Sequence, residues 1–415
     1  MSKAELLTNG SLIKKCYYGR MSFFRRKRIF LDYASATPVL PEVKRAMEKY
    51  WSEKFYNPSA IYEEGVKAKL NLEKNRAEIA RILGVKKSGI IFTSGGTEAN
   101  NLAVLGAFES ARDPLDKSRP ILHPHLIISS IEHSSVRKTA QEVARRGGEV
   151  SIVNADERGH VHPEAVKKFI KPNTYLVSVI LASNESGVIE PIAGIGRIIH
   201  ATRKRNGTKY PYLHTDASQA ANYLDVNLEK LNADFLTLDS SKLYGPKGIG
   251  ALAIHSASSL RPIIFGGGQE GSLRAGTESL ALVAGFVTAL QIAKRDREKE
   301  AKKLFKLKQI FISELEKFVK SSAFDTRVGI LSPMLEALPN IVAVQLPAGI
   351  LSELIVLDMD RREIAVSSGS ACLNLEGKPN ESFIRFSFGR GTTEQEIRKS
   401  AKLFSEILSR ARINS

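Results

Sequence analysis

From about residue 65 to residue 255 the chain alternates helical patterns with short β-branched runs: GIIFTS, HLIISS, TYLVSVILAS, DFLTLDSS and GALAIHS. This alternation constrains the fold more than any other feature. Such strands need apolar cover on both faces, so the pattern predicts an α/β protein with a sheet between two layers of helices. A long helical pattern rich in Lys and Glu follows, from about Gly285 to Lys320. It reads as a bridge into a second, smaller α+β region. That region closes with a helix opened by Thr392-Thr393-Glu394-Gln395-Glu396, where Thr393 and Glu396 have capping-box spacing. There is no repeat and no low-complexity tract.

A length of 415 residues, 43% of them hydrophobic, allows a sizeable core and two or three domains. The longest apolar runs, such as the one through Leu280–Val287, are too short to span a bilayer. No apolar segment follows the basic start, which argues against a signal peptide. Two cysteines, Cys16 and Cys372, cannot form a disulfide framework, so a reducing, cytoplasmic compartment is the default. They also lack the well-spaced histidines of a zinc site, and no metal is expected. Of the net charge of +17, residues 1–28 hold eight basic side chains against Glu5 alone, a net +7. This leader reads as a basic flexible extension, with Met21 an alternative start and organelle targeting a lesser alternative. The remaining charge favours acidic partners or is a solvated surface. No basic motif interleaved with base-stacking aromatics is present, so no nucleic-acid site is read here.

Several strand ends carry chemistry. FTSGGTEANN, residues 92–101, reads as strand, glycine turn and helix start. Gly95 and Gly96 let backbone approach a ligand, and Thr97 with the first helical N–H groups faces an anion. A plain strand-to-helix turn would look similar. HTDASQ ends a strand with Asp216 and places Gln219 three residues on. SSKLYGPKGIG ends the next with Lys242, costly at a buried strand end unless it is used, for instance as an amine tethered to an aldehyde. SSIEHSS and ASNESG contribute His133 and Asn184 in the same manner. In an open α/β sheet, ligands gather at the carboxyl ends of strands. A lysine, a carboxylate to face a pyridine nitrogen, a ring to cover a face and a phosphate cradle together suit pyridoxal 5'-phosphate.

With these residues in view, the chain resembles a cysteine desulfurase of the NifS/IscS type, within the class V aminotransferase family of fold-type I enzymes. The matching segments are FLDYASATP, NPSAIYEEG, IIFTSGGTEANNLA, SSIEHSSV, LASNESGVIEPI, HTDASQA, SKLYGPKGIGAL, GGGQEGSLRAGTES, VSSGSAC and IRFSFGRGTT, in family order from about residue 30 to residue 400. The resemblance implies a large domain with a mostly parallel seven-stranded sheet between helices and a smaller α+β domain. We expect residues 29–45 to pack with the small domain, 46–290 to form the cofactor domain, and 291–415 to form the small domain carrying the cysteine loop. Lys242 resembles the Schiff-base lysine and Asp216 the carboxylate paired with the pyridine nitrogen. Gln219 and Asn184 resemble the groups around the ring 3-hydroxyl. His133 resembles the imidazole stacked on the ring, and Gly96 and Thr97 the phosphate loop, with Asp239 and Ser241 beside it. Thr277 is similar to the threonine that reaches a neighbouring subunit's phosphate, which implies a homodimer. Arg385 resembles the arginine that forks onto the substrate carboxylate, with Asn184 beside it. Cys372, in the bare context SGSACLN, resembles the mobile cysteine whose thiolate takes sulfur from L-cysteine as a persulfide, leaving L-alanine. The implied partners are L-cysteine and a sulfur acceptor, either an iron–sulfur scaffold or a tRNA-thiolation enzyme.

The chain departs from that pattern in places. Ser241 stands where a histidine usually precedes the lysine, and its hydroxyl can still donate to a phosphate. Ser183 and Tyr62 replace an asparagine and a histidine. The segment LNLEGKPNESF after Cys372 is short, and loops around Asp113–His125 and Arg203–Tyr212 look enlarged. These departures leave two rivals: a selenocysteine lyase or other class V lyase or transaminase, and a catalytically silent scaffold subunit.

Overall fold

The computed structural model describes residues 28–114, 120–255, 258–321, 329–347, 349–370 and 382–413. The leader up to residue 27, Cys16 and Cys372 lie outside these residues. A short strand β1 (Ile29–Phe30) is followed by helices α1 (Pro41–Ser52) and α2 (Glu63–Leu83). Then come β2 (Ile90–Thr93), α3 (Gly96–Arg112), β3 (His125–Ser129), α4 (Ser134–Arg145), β4 (Glu149–Val153), α5 (Pro163–Phe169) and β5 (Thr174–Ser178). Next are α6 (Ile192–Asn206), β6 (Tyr212–Asp216), α7 (Leu228–Leu231), β7 (Phe235–Asp239) and β8 (Gly250–Ile254).

These strands form a seven-stranded sheet in the order β2-β8-β7-β6-β5-β3-β4. β8 runs against both neighbours and the remaining pairs are parallel. Because β2 and β7 both oppose β8, the carboxyl ends of β2, β7, β6, β5 and β3 meet along one edge of the sheet. The alternation of side chains sorts the strands into two cores. Ile127, Val177, Leu213 and Leu236 face one core, and Leu126, Leu176, Tyr212 and Phe235 face the other. Helix α3 covers the second face with Leu102, Ala103 and Phe108.

The long helical pattern predicted from Gly285 to Lys320 forms α8 (Leu280–Ser321), 42 residues and about 60 Å long. Its first half packs against α1 and α2 and adds Val283, Phe286 and Leu290 to the core shared with the large sheet. Its second half carries Phe311 onto Phe386 and Phe388, ring centroids 4.6 and 5.7 Å away. Phe386 and Phe388 belong to a second unit. That unit holds β9 (Ile341–Gln345), α9 (Ser352–Arg361), β10 (Ile364–Ala365), β11 (Ser367–Ser370), β12 (Ser382–Ser387) and α10 (Glu394–Ile413). β11, β12 and β9 form an antiparallel sheet in that order. β1 pairs with β10, and Asp32 bridges to Ser387, so the chain's first described segment lies on the second unit. The capping box forms: Thr393 N–H donates to Glu396 Oε2 at 2.9 Å, and Glu396 N–H to Thr393 Oγ1 at 3.3 Å.

One expectation is corrected. The segment beginning at Arg203 is not a loop extension: α6 runs on to Asn206 and stops where Gly207 takes φ +59°. Arg203 is held in the helix by an ion pair with Asp234. Among the described residues, no helix is long and apolar enough to cross a membrane.

Candidate functional site

At the carboxyl edge of the large sheet, where β11 and β12 approach it, lies a cavity of about 300 Å³. Gly96, Thr97, His133, Asn184, Asp216, Gln219, Asp239, Lys242 and Arg385 line it. Asp216 ends β6. Its Oδ2 accepts from Asn100 Nδ2 at 2.7 Å and its Oδ1 from Ser218 N–H at 2.9 Å. Two charge-neutral donors therefore fix the carboxylate without neutralising it. His133 caps α4: Ser135 N–H donates to His133 Nδ1 at 3.2 Å, which leaves the ring proton of a neutral imidazole on Nε2. Burial holds His133 below the ordinary histidine range, against the nearby charge of Asp216.

Lys242 ends the short turn after β7 and is half-buried. Its Nζ donates to the Ser35 carbonyl at 2.5 Å. Burial lowers its pKa, the Asp239 charge opposes that shift, and the Arg385 charge adds to it. Arg385 sits on β12 opposite Ser367 of β11. Its Nη2 donates to Asp32 Oδ1 at 2.9 Å and Ser35 Oγ at 2.7 Å, and its Nη1 to the Asn184 carbonyl at 2.7 Å. Arg385 Nε is buried with no protein partner among the described residues. Gln219 Nε2 donates to the Ala34 carbonyl at 2.8 Å. The turn from Asp32 to Ser35 thus touches the lysine, the arginine and the glutamine together.

The cradle lies where β2 gives way to α3. Gly95 takes φ +152°, a conformation that side chains rarely adopt. Gly250 of β8 runs beside it: a Cβ there would sit 2.7 Å from the Gly95 carbonyl carbon. Gly96 N–H, at the head of α3, already donates to Asp239 Oδ2 at 3.1 Å. Ser241 donates to Asp239 Oδ1 through both its N–H, at 2.8 Å, and its Oγ, at 2.6 Å.

The cavity does not contain every predicted residue. Thr277 is exposed on the rim of a separate cavity of about 160 Å³, beside Glu270 and Arg274. Cys372 lies outside the described residues. Sequence reasoning missed Asn100, Ser218, Asp32, Ser35 and Glu132. All five stand inside segments quoted above for their resemblance or for other residues, and only their hydrogen bonds reveal their places. Glu132 is buried. Its Oε1 accepts from Ser129 Oγ at 2.8 Å and Ile180 N–H at 2.7 Å, while Oε2 has no partner among the described residues. Burial, with some help from the Asp216 charge, pushes its carboxyl up to about 8.

Comparison with known proteins matches this architecture. The class V aminotransferase family profile covers residues 29–399, and the chain belongs to that family. A cysteine desulfurase IscS of Dictyoglomus turgidum is 34% identical over 402 residues, spanning 93% of this chain and 96% of its own. The solved structure of a NifS-like protein superimposes with a TM-score of 0.82 at 31% identity, over 92% of this chain and 99% of that one. That of SspA in complex with cysteine does so with a TM-score of 0.69 at 30% identity, over 87% and 98%. Within the class V family the chain therefore stands with the cysteine desulfurases of the NifS/IscS type, a pyridoxal-phosphate-dependent group of fold-type I.

Proposed function

We propose that this protein is a pyridoxal-phosphate-dependent cysteine desulfurase that converts L-cysteine to L-alanine and keeps the sulfur as a persulfide on Cys372. The observation that carries this reading is one cavity in which the Lys242 amine, the Asp216 carboxylate, the His133 ring and the Arg385 guanidinium meet. The ring end fits the cofactor: besides those groups it has a buried acceptor without a partner among the described residues, Asn100 Oδ1. When bound, pyridoxal phosphate supplies an electron sink conjugated with the substrate's amino-bearing carbon.

Each residue then has a task. Lys242 would hold the cofactor's aldehyde, and its lowered pKa leaves more of the amine uncharged than on a surface lysine. Asp216 would face the pyridine nitrogen and keep it protonated. His133, neutral at physiological pH, covers the ring and can take up or return a proton. Asn184 and Gln219 would serve the ring oxygen, and Thr97 and Gly96 the phosphate end, with Asp239 and, behind it, Ser241 beside them. Arg385 receives the substrate carboxylate, for which Nε, without a partner among the described residues, is the available donor. The Cys372 thiolate attacks the substrate sulfur, a new S–S bond forms, and the C–S electron pair stays on carbon, which takes a proton. One thiol and one L-cysteine thus give one persulfide and one L-alanine.

The same reading makes the chain a cytoplasmic homodimer in which Thr277 serves the neighbouring subunit's phosphate. It divides the chain into residues 46–290 around the cofactor and 291–415 around the cysteine loop, with 29–45 packed on the latter and 1–28 as a leader. The persulfide passes to an acceptor protein for iron–sulfur assembly or tRNA thiolation. The test is alanine release from L-cysteine by the cofactor-loaded protein, compared with Cys372→Ser. Alanine formation that collapses in the variant is the expected result. Full turnover of selenocysteine by both proteins, with none of cysteine, would instead make it a selenocysteine lyase.

A further inference from the structure

The seat of the cofactor's phosphate already holds an anion that belongs to this chain. Gly96 N–H, the first donor of a 17-residue helix, gives its hydrogen bond to Asp239 Oδ2 at 3.1 Å. A Cβ on Gly96 would lie 3.3 Å from that oxygen and 3.2 Å from Ser218 Oγ, so carboxylate, hydroxyl and helix start share one small space. Ser218 is 9% exposed, and its Oγ is buried without a partner among the described residues. A hydroxyl left unpaired beside a helix N-terminus points to an anionic ligand there. Ser241, the other hydroxyl of the cradle, points elsewhere. Both its N–H and its Oγ hold Asp239 Oδ1, so it secures the carboxylate in place instead of offering itself to a phosphate.

Resting on the cofactor site proposed above, we infer that Asp239 is an intramolecular competitor for the phosphate of pyridoxal phosphate. The phosphate gains the Gly96 N–H only as the carboxylate gives it up, and the two negative charges repel each other across the cradle. The ring end of the site is untouched by this contest. The protein therefore holds its cofactor loosely, and its affinity for the phosphorylated form is set at Asp239.

The experiment is calorimetric titration of the full-length protein, freed of cofactor, with pyridoxal phosphate and with pyridoxal. Wild type is compared with Asp239→Asn and Asp239→Ser, both of which keep a side-chain acceptor for Ser241 N–H. Thermal unfolding of all three confirms that each is folded. The inference predicts that both variants bind pyridoxal phosphate at least tenfold more tightly, while pyridoxal affinity moves less than twofold. Unchanged or weaker binding of pyridoxal phosphate in both variants would overturn it, making Asp239 a supporting cap. Equal tightening toward both compounds would also overturn it. Absence of binding of either compound to any of the three proteins would remove the cofactor site itself, and this inference with it.

Discussion

Arg385 and Lys242 approach the cavity from different units of the molecule, and the turn from Asp32 to Ser35 joins them. Asp32 Oδ1 gathers Ser35 Oγ at 2.8 Å, Ser367 Oγ at 2.7 Å and Arg385 Nη2 at 2.9 Å. Asp32→Asn removes a charge-assisted bond of about 1.5–3 kcal/mol, which frees Arg385 to wander. We expect KM for L-cysteine to rise about tenfold or more with a smaller change in kcat, read from steady-state kinetics. A fall in kcat alone would place Asp32 outside substrate binding. Glu132 gives a stability prediction. Its carboxyl is raised to about 8 in the folded protein, above its unfolded value, so the folded state binds the extra proton. The associated stability is present below about pH 4.5 and is lost as pH rises through about 8. Glu190, raised to about 7 by burial, acts in the same direction. Glu132→Gln should flatten the decline of denaturant-measured stability between pH 5 and 8. An undiminished slope would mean that Glu132 is already ionised at neutral pH.

At the scale of elements, the cradle depends on glycines where backbones nearly touch. A Cβ at Gly250 would meet Leu238 O at 2.6 Å and the Gly95 carbonyl carbon at 2.7 Å. Gly250→Ala should cost about 1–3 kcal/mol in denaturant unfolding and loosen the β2–α3 turn with it. At the far end of the chain, Thr393→Ala should cost about 1 kcal/mol by removing one half of the capping box. That cap was legible from spacing alone, as were the buried strands whose apolar runs became β2, β3, β5, β7 and β8, while β6 was legible only as the strand that HTDASQ ends. β4 was not legible. It lies at the sheet edge with Glu149 exposed and the next three residues half-buried, so it lacks the continuous apolar run of its neighbours. TYLVSVILAS gave a strand only through Ser178. Beyond it the N–H groups of Val179 and Leu181 still donate to the carbonyls of His214 and Asp216, and the chain runs on to Asn184 in the cavity. The lysine, aspartate and histidine were legible because strand ends concentrate ligands. Asn100, Ser218 and the Asp239–Gly96 contact were not, since hydrogen bonds between distant segments leave no local pattern.

Across the whole molecule, α8 joins the two units and one continuous core runs from Ile127 and Val177 to Phe386 and Phe404. A row of apolar side chains nonetheless stays exposed along the start of α2 and the segment before it: Phe55, Ile61, Tyr62, Val66 and Leu70. A surface of this kind suits a partner subunit. Sedimentation of the full-length protein should give twice the chain mass, and a concentration-independent single-chain mass would remove the dimer from the account. The second unit also sets the reach of the proposed carrier cysteine. Cys372 follows by five residues Ser367, whose hydroxyl accepts from Arg385 Nη2 at 3.2 Å. Five extended residues span at most about 18 Å, which is the upper limit of the chain's reach from Ser367 to Cys372. The most direct test of the central claim is intact-protein mass spectrometry of the cofactor-loaded protein after L-cysteine, with alanine assayed in the same tube. The account predicts a gain of one sulfur atom that maps to Cys372, together with alanine. Bound cofactor with neither product would contradict it.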